Sequence, residues 1–141
     1  MRWLVISVCL LLIIGFWWIW LNPYSFKFSD TTLEIDQEAE HRVFAFGTLT
    51  NPFVRSLVIF GYVPTEPGTL EGYRRYGLDL LPDEDATTEG RVFYVTATQL
   101  RRLDRYERVG VKYERYLYTL SDGEPAWVYR LISNINPVPA E

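Results

Sequence analysis

Two stretches of the chain hold residues whose types and spacing could do chemistry. The first is Val43-Phe44-Ala45-Phe46-Gly47-Thr48-Leu49, followed by Asn51-Pro52. The apolar run from Val43 to Phe46 reads as a buried strand. Gly47 lets the backbone leave that strand with dihedrals closed to other residues, and lets another group approach closely. Asn51 is a good helix N-cap and Pro52 fits the first helical position. Strand, glycine turn and helix N-terminus together present backbone N–H groups and a positive dipole end to a carboxylate or an oxyanion. This is not a phosphate loop, because G-x-x-x-x-G-K-[ST] is absent and no lysine is near.

The second stretch ends at Glu107. Leu100, Leu103 and Glu107 recur at i, i+3 and i+7 of an expected helix, so the carboxylate lies on the apolar stripe. There it meets the negative end of the helix macrodipole, a penalty of roughly 0.3–1 kcal/mol, and partial burial disfavours its charge further. Both effects raise its pKa, toward a range where it can take a proton and return it near neutral pH. The simpler account on helix physics alone is that Glu107 reaches out to solvent or pairs with Arg115.

Other chemistries find little support. Cys9 is the only cysteine and lies in the apolar N-terminal run, so the remainder has no disulfide framework, zinc–thiolate site or cysteine nucleophile. His41 is the only histidine, and with no G-x-S-x-G elbow beside it a linker role accounts for it. The acidic run Asp83–Glu89 lacks the spaced ligands and glycine of a calcium loop and reads as solvated, so no metal is expected. With a net charge of −4 and no basic tail, nucleic acid is not an expected partner.

The elements that must position these residues follow from periodicity and turn signals. A strand is expected at 42–46, a helix at about 52–59, extended chain around 69–81, and a strand at 91–95 after the acidic loop "LPDEDATTEG". A helix follows at about 97–107, with Thr96 and Gln99 at capping-box spacing. Its Arg101, Arg102, Arg105 and Arg108 lie off the apolar stripe, toward solvent, with Asp104 among them. Two strands, "YERYLYTL" and "AWVYRLI", are joined by the hairpin signal Ser121-Asp122-Gly123. Mixed order with more strands than helices predicts an α+β fold with a curved sheet or small barrel.

The N-terminus predicts something else. From Trp3 to Leu21 there is no charged residue, and as a helix this span reaches roughly 28 Å, close to the ~30 Å hydrocarbon core of a bilayer. The run is too long for a signal-peptide core and its tryptophans suit an interfacial belt, so residues 1–21 are expected to be an uncleaved single-pass membrane anchor. Residues 22–40 read as a polar tether, 41–133 as one domain, and 134–141 as a tail.

The residues of the two stretches carry a resemblance. "VFAFGTL" resembles the V-F-V-Y-G-T-L opening of the γ-glutamylcyclotransferase-like (AIG2-like) superfamily. "GRVFYV" and then "LRRLDRYERVGVKYERYLYTL" resemble its G-x-L-Y-x-V, L-x-x-L-D-x-Y-E-G and Y-x-R segments, in the same order, over about residues 42–131. The resemblance implies a small mixed β-barrel flanked by helices, with a cavity at one end. It implies an enzyme that cyclises the γ-glutamyl group of a small amine or peptide to 5-oxoproline and releases the amine, without a cofactor. Phe46, Gly47, Thr48 and Leu49 would hold the glutamyl head, and Glu107 would be the general acid/base. Tyr113 and Tyr129 would be cavity hydroxyls, or equally core tyrosines. Glu114 would be replaceable at little cost. The chain departs from the pattern at Phe46, where the family has tyrosine, and at Arg108, where it has glycine. These departures keep a second expectation open: a catalytically silent binding or interaction module of the same fold, tethered to a membrane.

Overall fold

The computed structural model describes residues 1–20 and 34–132, without the side chains of residues 2–4 and 17–20. Helix α1 spans Arg2–Trp20. Among the described residues no helix is long and apolar enough to cross a membrane. Residues 22–33 of the expected tether and all of the expected tail, 134–141, lie outside the described residues.

The rest is an α+β domain on a five-stranded sheet. Strand β1 (His41–Ala45) leads through a 3-10 turn (Thr48–Thr50) into α2 (Pro52–Ile59). Strands β2 (Glu66–Tyr76) and β3 (Asp79–Val95) form a long hairpin, then come α3 (Ala97–Tyr106), β4 (Tyr113–Thr119) and β5 (Pro125–Leu131). The strand order is β2-β3-β1-β5-β4, antiparallel except for the β1–β5 pair.

Both faces of the central strands are buried, which is why Val43 to Phe46 reads as a continuous apolar run. Val43 and Ala45 pack with Phe93, Val95, Ile59, Leu100 and Leu103 under the two helices. Phe44 and Phe46 point the other way, into a cluster with Leu70, Leu80, Val92 and Val128. Among the described residues no helix contributes to that second cluster, and the curl of the sheet encloses it. The curl is a half-barrel rather than a closed barrel, with β2 and β4 as its edges. Side chains and loops link the edges: Ser121, after β4, donates from N–H and Oγ to the Thr69 carbonyl of β2, both at 3.0 Å. At the centre, Gly90 keeps the crossing tight, since a Cβ there would run into the Ala45 carbonyl and the Phe44 ring.

Several expectations need correction. The acidic "loop" 81–90 is the first half of β3, because Tyr73–Tyr76 pair with 79–82 and Thr69–Glu71 with 87–89 around a bulge at Gly72. Its Glu84, Asp85 and Glu89 are exposed on the hairpin while Thr88 is buried, so turn composition and strand pairing coincide. His41 is no linker residue: it is buried in β1, with Nε2 2.8 Å from the Asp36 carbonyl oxygen. Ile35 packs on the core and Gln37 bonds Arg101, so the end of the expected tether lies against the domain.

Candidate active site

The capping box forms as expected. Thr96 accepts from the Gln99 N–H at 3.3 Å, and Gln99 Oε1 accepts from the Thr96 N–H at 3.0 Å. With that start fixed, Leu100 and Leu103 are fully buried and the helix delivers Glu107 at its C-cap. Glu107 is half-buried and lines a cavity of about 300 Å³. Burial pushes its carboxyl up from 4.5 to about 7, with Lys112 pulling weakly the other way. None of the ion pairs among the described residues involves it.

Arg115, the partner expected for Glu107 in the simpler account, is occupied elsewhere. Its guanidinium lies 4.3 Å from the Trp127 ring centroid and its Nε 3.6 Å from Asp104 Oδ1. Asp104 is fully buried, not on a solvated face as its arginine-rich neighbourhood suggests. Burial raises its pKa most, while Arg115 and then Tyr129 oppose that. Tyr129 donates its hydroxyl to Asp104 at 2.7 Å, so its ring lines the cavity but its hydroxyl is turned to the network behind it. Tyr113 also lines the cavity, and burial, then the nearby Glu107 carboxylate, push its hydroxyl pKa up. Glu114 is buried in β4 opposite Arg130 of β5, so it is not the freely replaceable residue expected.

The opposite wall is the turn after β1. Phe46, Gly47, Thr48 and Leu49 all line the cavity. Asn51 caps α2 by accepting the Phe53 N–H at 2.9 Å, and Pro52 is the first helical residue. The turn is closed by Thr50 N–H and Thr50 Oγ1 donating to the Gly47 carbonyl (3.1 and 2.7 Å) and by Asn51 N–H donating to Thr48 (3.1 Å). These bonds leave the amides of Gly47, Thr48 and Leu49 outside them. The glycine's dihedrals are not left-handed, but φ −116° with ψ −135° lies outside the helical and extended regions that other residues populate. A Cβ there would meet Leu78 Cδ2 at an ordinary 3.6 Å, so Gly47 also provides space.

The positive dihedral is at Arg108, with φ 53°, directly after Glu107. This is where the resemblance has glycine, and the backbone conformation explains why.

Other lining residues were given no role from the sequence, although Tyr106 stands in the L-D-x-Y-E segment that carries the resemblance. Tyr106 closes one side, its hydroxyl 3.2 Å from Thr48 Oγ1, which bridges the turn to the end of α3. Leu78, at the tip of the β2–β3 hairpin, and Lys112 complete the rim. Behind the turn, buried Arg55 donates Nη1 to the Leu49 and Thr50 carbonyls at 2.9 and 3.3 Å, and lies 5.4 Å from the Phe93 ring centroid. Desolvation, then Arg91, lower its pKa. An arginine one turn into α2 is visible in sequence, but only the fold shows that it fastens the turn. Among the described residues no group of three or more His, Cys, Asp or Glu could hold a metal ion.

The family profile described as gamma-glutamyl cyclotransferase, AIG2-like, matches residues 43–140, which include every one of these cavity residues. The chain belongs to this family. Two Arabidopsis thaliana proteins with known solution structures are similar in fold. One is 26% identical, with a TM-score of 0.58 over 72% of this chain and 75% of that one. The other is 24% identical, with a TM-score of 0.58 over 75% of this chain and 70% of that one. A comparison with curated proteins found no match.

Proposed function

We propose that the domain cyclises the γ-glutamyl group of a small amine or peptide to 5-oxoproline and releases the amine. The observation that carries this is Glu107: a carboxylate with a pKa of about 7, in a cavity whose other wall is the Phe46–Leu49 turn. The substrate's α-ammonium cannot attack its own γ-carbonyl until it loses a proton. Glu107 takes that proton, the amine closes the five-membered ring, and Glu107 returns the proton to the departing nitrogen as the old amide bond breaks. Ring closure is intramolecular, so the turn needs mainly to hold a near-attack geometry, with the amides of Gly47, Thr48 and Leu49 as the donors to the carboxylate or the developing oxyanion. Fastening of the turn by Arg55 and Tyr106 supports that role.

The test is 5-oxoproline release from a panel of γ-glutamyl compounds by the parent chain, Glu107→Gln, and the exposed control Glu84→Gln. Glu107→Gln should lose roughly 10²–10⁴-fold in kcat with KM little changed, and the parent's kcat/KM should rise with pH through about 7. Equal turnover by Glu107→Gln removes Glu107 from the mechanism. Ligand binding with no 5-oxoproline from any compound favours a silent binding module instead.

We also propose that α1 anchors this domain at a membrane. Support comes from the uncharged run Trp3–Leu21 and from the exposed apolar side chains of Ile6 and Leu10 to Ile14 on α1.

A further inference from the structure

One face of the domain exposes large apolar side chains beside arginines. Phe53, Leu57 and Phe60 stand at i, i+4 and i+7 on α2 and its C-cap, and are 70, 54 and 65% exposed. The opposite side of α2 is already in the core, through Val58 and Ile59. Tyr62, just beyond, is 78% exposed. Phe60 also holds φ 54°, left-handed backbone that a bulky residue disfavours, with Gly61 next to it in the chain. Apolar side chains gathered on one surface in this way mark an interaction site. The neighbouring helix supplies cations. Arg102 donates Nη1 to the Ile59 carbonyl at 2.8 Å, and its guanidinium lies 4.5 Å from the Phe60 ring centroid. Arg101 and Arg105 share its side of α3, and Asp104, the only acid on that helix, is buried. Helix α2 has no acid. The exposed acids Glu34, Asp36, Glu38 and Glu40 belong to the segment before β1, so the basic face is that of α3.

The chain also enters the domain at this face, because Gln37 Oε1 accepts from Arg101. From Trp20 at the end of α1 to Glu34, the intervening residues reach at most roughly 50 Å fully extended. We infer that the α2–α3 face docks on an anionic bilayer surface. Phe53, Leu57 and Phe60 enter the boundary between headgroups and acyl chains, while Arg101, Arg102 and Arg105 meet lipid phosphates. This rests on the proposal that α1 holds the chain at a membrane. Tethering makes weak contacts sufficient, since a short connection keeps the domain at high effective concentration beside the bilayer. Aromatic and leucine side chains edged by arginine are the chemistry of a helix that lies in the lipid interface, and anionic headgroups attract the cations. A second copy docked face to face would gather both sets of arginines in one interface, with no exposed acid of α2 or α3 to receive them.

The test uses the full chain with Cys9→Ser and Leu57→Cys, a fluorophore on the new thiol, in phosphatidylcholine vesicles with or without phosphatidylserine. Glu84→Cys, on the β2–β3 hairpin, carries the same label as control. A quencher borne on lipid headgroups should dim the label at position 57 when phosphatidylserine is present, and leave position 84 unchanged. Raised salt should reverse the effect. Arg101→Gln/Arg105→Gln should lower the ratio of docked to undocked domain by about fivefold for each arginine removed, the scale of one cation at an anionic leaflet. Equal quenching at 57 and 84, or none at 57, in chain that stays in the pellet through an alkaline wash overturns the docking face and leaves the anchor standing. Quenching at 57 in chain that the wash releases keeps the docking face and overturns the anchor. Quenching that neither phosphatidylserine nor the arginine variant alters overturns the role of the cations. Disulfide-linked pairs of the unlabelled Leu57→Cys chain, without lipid quenching, overturn the bilayer as occupant in favour of a second copy.

Discussion

Glu107 shows how much one residue's environment decides. Its place on the apolar stripe of α3 was legible from a three-and-four spacing, and its inward direction followed from that. The absence of a neutralising partner was not legible, because Arg115 is drawn away by Asp104, a residue the sequence places among exposed arginines. The consequence can be read in stability. A carboxyl at 4.5 unfolded and about 7 folded binds more protons in the native state between those values. Stability should therefore fall as pH rises from 4.5 to 7 and level off above, a loss of about 3 kcal/mol at most. Glu107→Gln removes that loss. In urea titrations it should match the parent near pH 4 and exceed it by about 2–3 kcal/mol at pH 8. A parallel offset at all pH values would show that the carboxyl titrates normally in the folded protein.

Among the elements, the β1–α2 turn was the most legible. Its glycine, N-cap and proline each act within a few residues, and local chemistry of that kind survives folding unchanged. The reason for the glycine was legible in part: its φ and ψ lie outside the ordinary regions, while only Leu78, distant in sequence, reveals the shared space. If space is what Gly47 mainly serves, Gly47→Val should fold and raise KM by about tenfold or more, through methyl groups placed in the cavity, with Gly47→Ala milder. Circular dichroism beside steady-state kinetics checks this; a misfolded valine variant would mean that the backbone, not the space, is what Gly47 serves. The β2–β3 hairpin was the least legible element. Strand 81–90 is specified by its partner residues and by a bulge, and nothing local distinguishes it from a solvated acidic loop.

At the scale of the molecule, the sheet's curl depends on contacts between strands that are not neighbours, β3 and β5. Asp79, at the start of β3, accepts from Arg130 Nε of β5 at 3.0 Å and from the Leu131 N–H at 3.1 Å. Arg130 also donates to the Tyr118 hydroxyl at 2.6 Å and the Leu80 carbonyl at 2.5 Å. Asp79→Ala leaves a buried guanidinium without its carboxylate and should cost about 3–5 kcal/mol, measured by urea unfolding. A cost below about 1 kcal/mol would mean that apolar packing alone holds the curl. For the whole chain, the proposed anchor predicts retention in the membrane pellet after high-salt and alkaline washes, because burial of apolar side chains is insensitive to charge. Release by salt alone would leave only a peripheral association.

The sequence by itself determined the strand–turn–helix wall, the capped helix, the inward carboxylate, the terminal hairpin and the family, because each is written in residues close together in the chain. Only the tertiary structure decided that Asp104 takes Arg115 away from Glu107, that Tyr129 turns its hydroxyl out of the cavity, that Arg55 fastens the turn, and that the acidic run is a strand. Each of those outcomes is a competition for partners far apart in sequence. Which charge or hydrogen-bonding group wins depends on distances and burial that exist only once the sheet has curled.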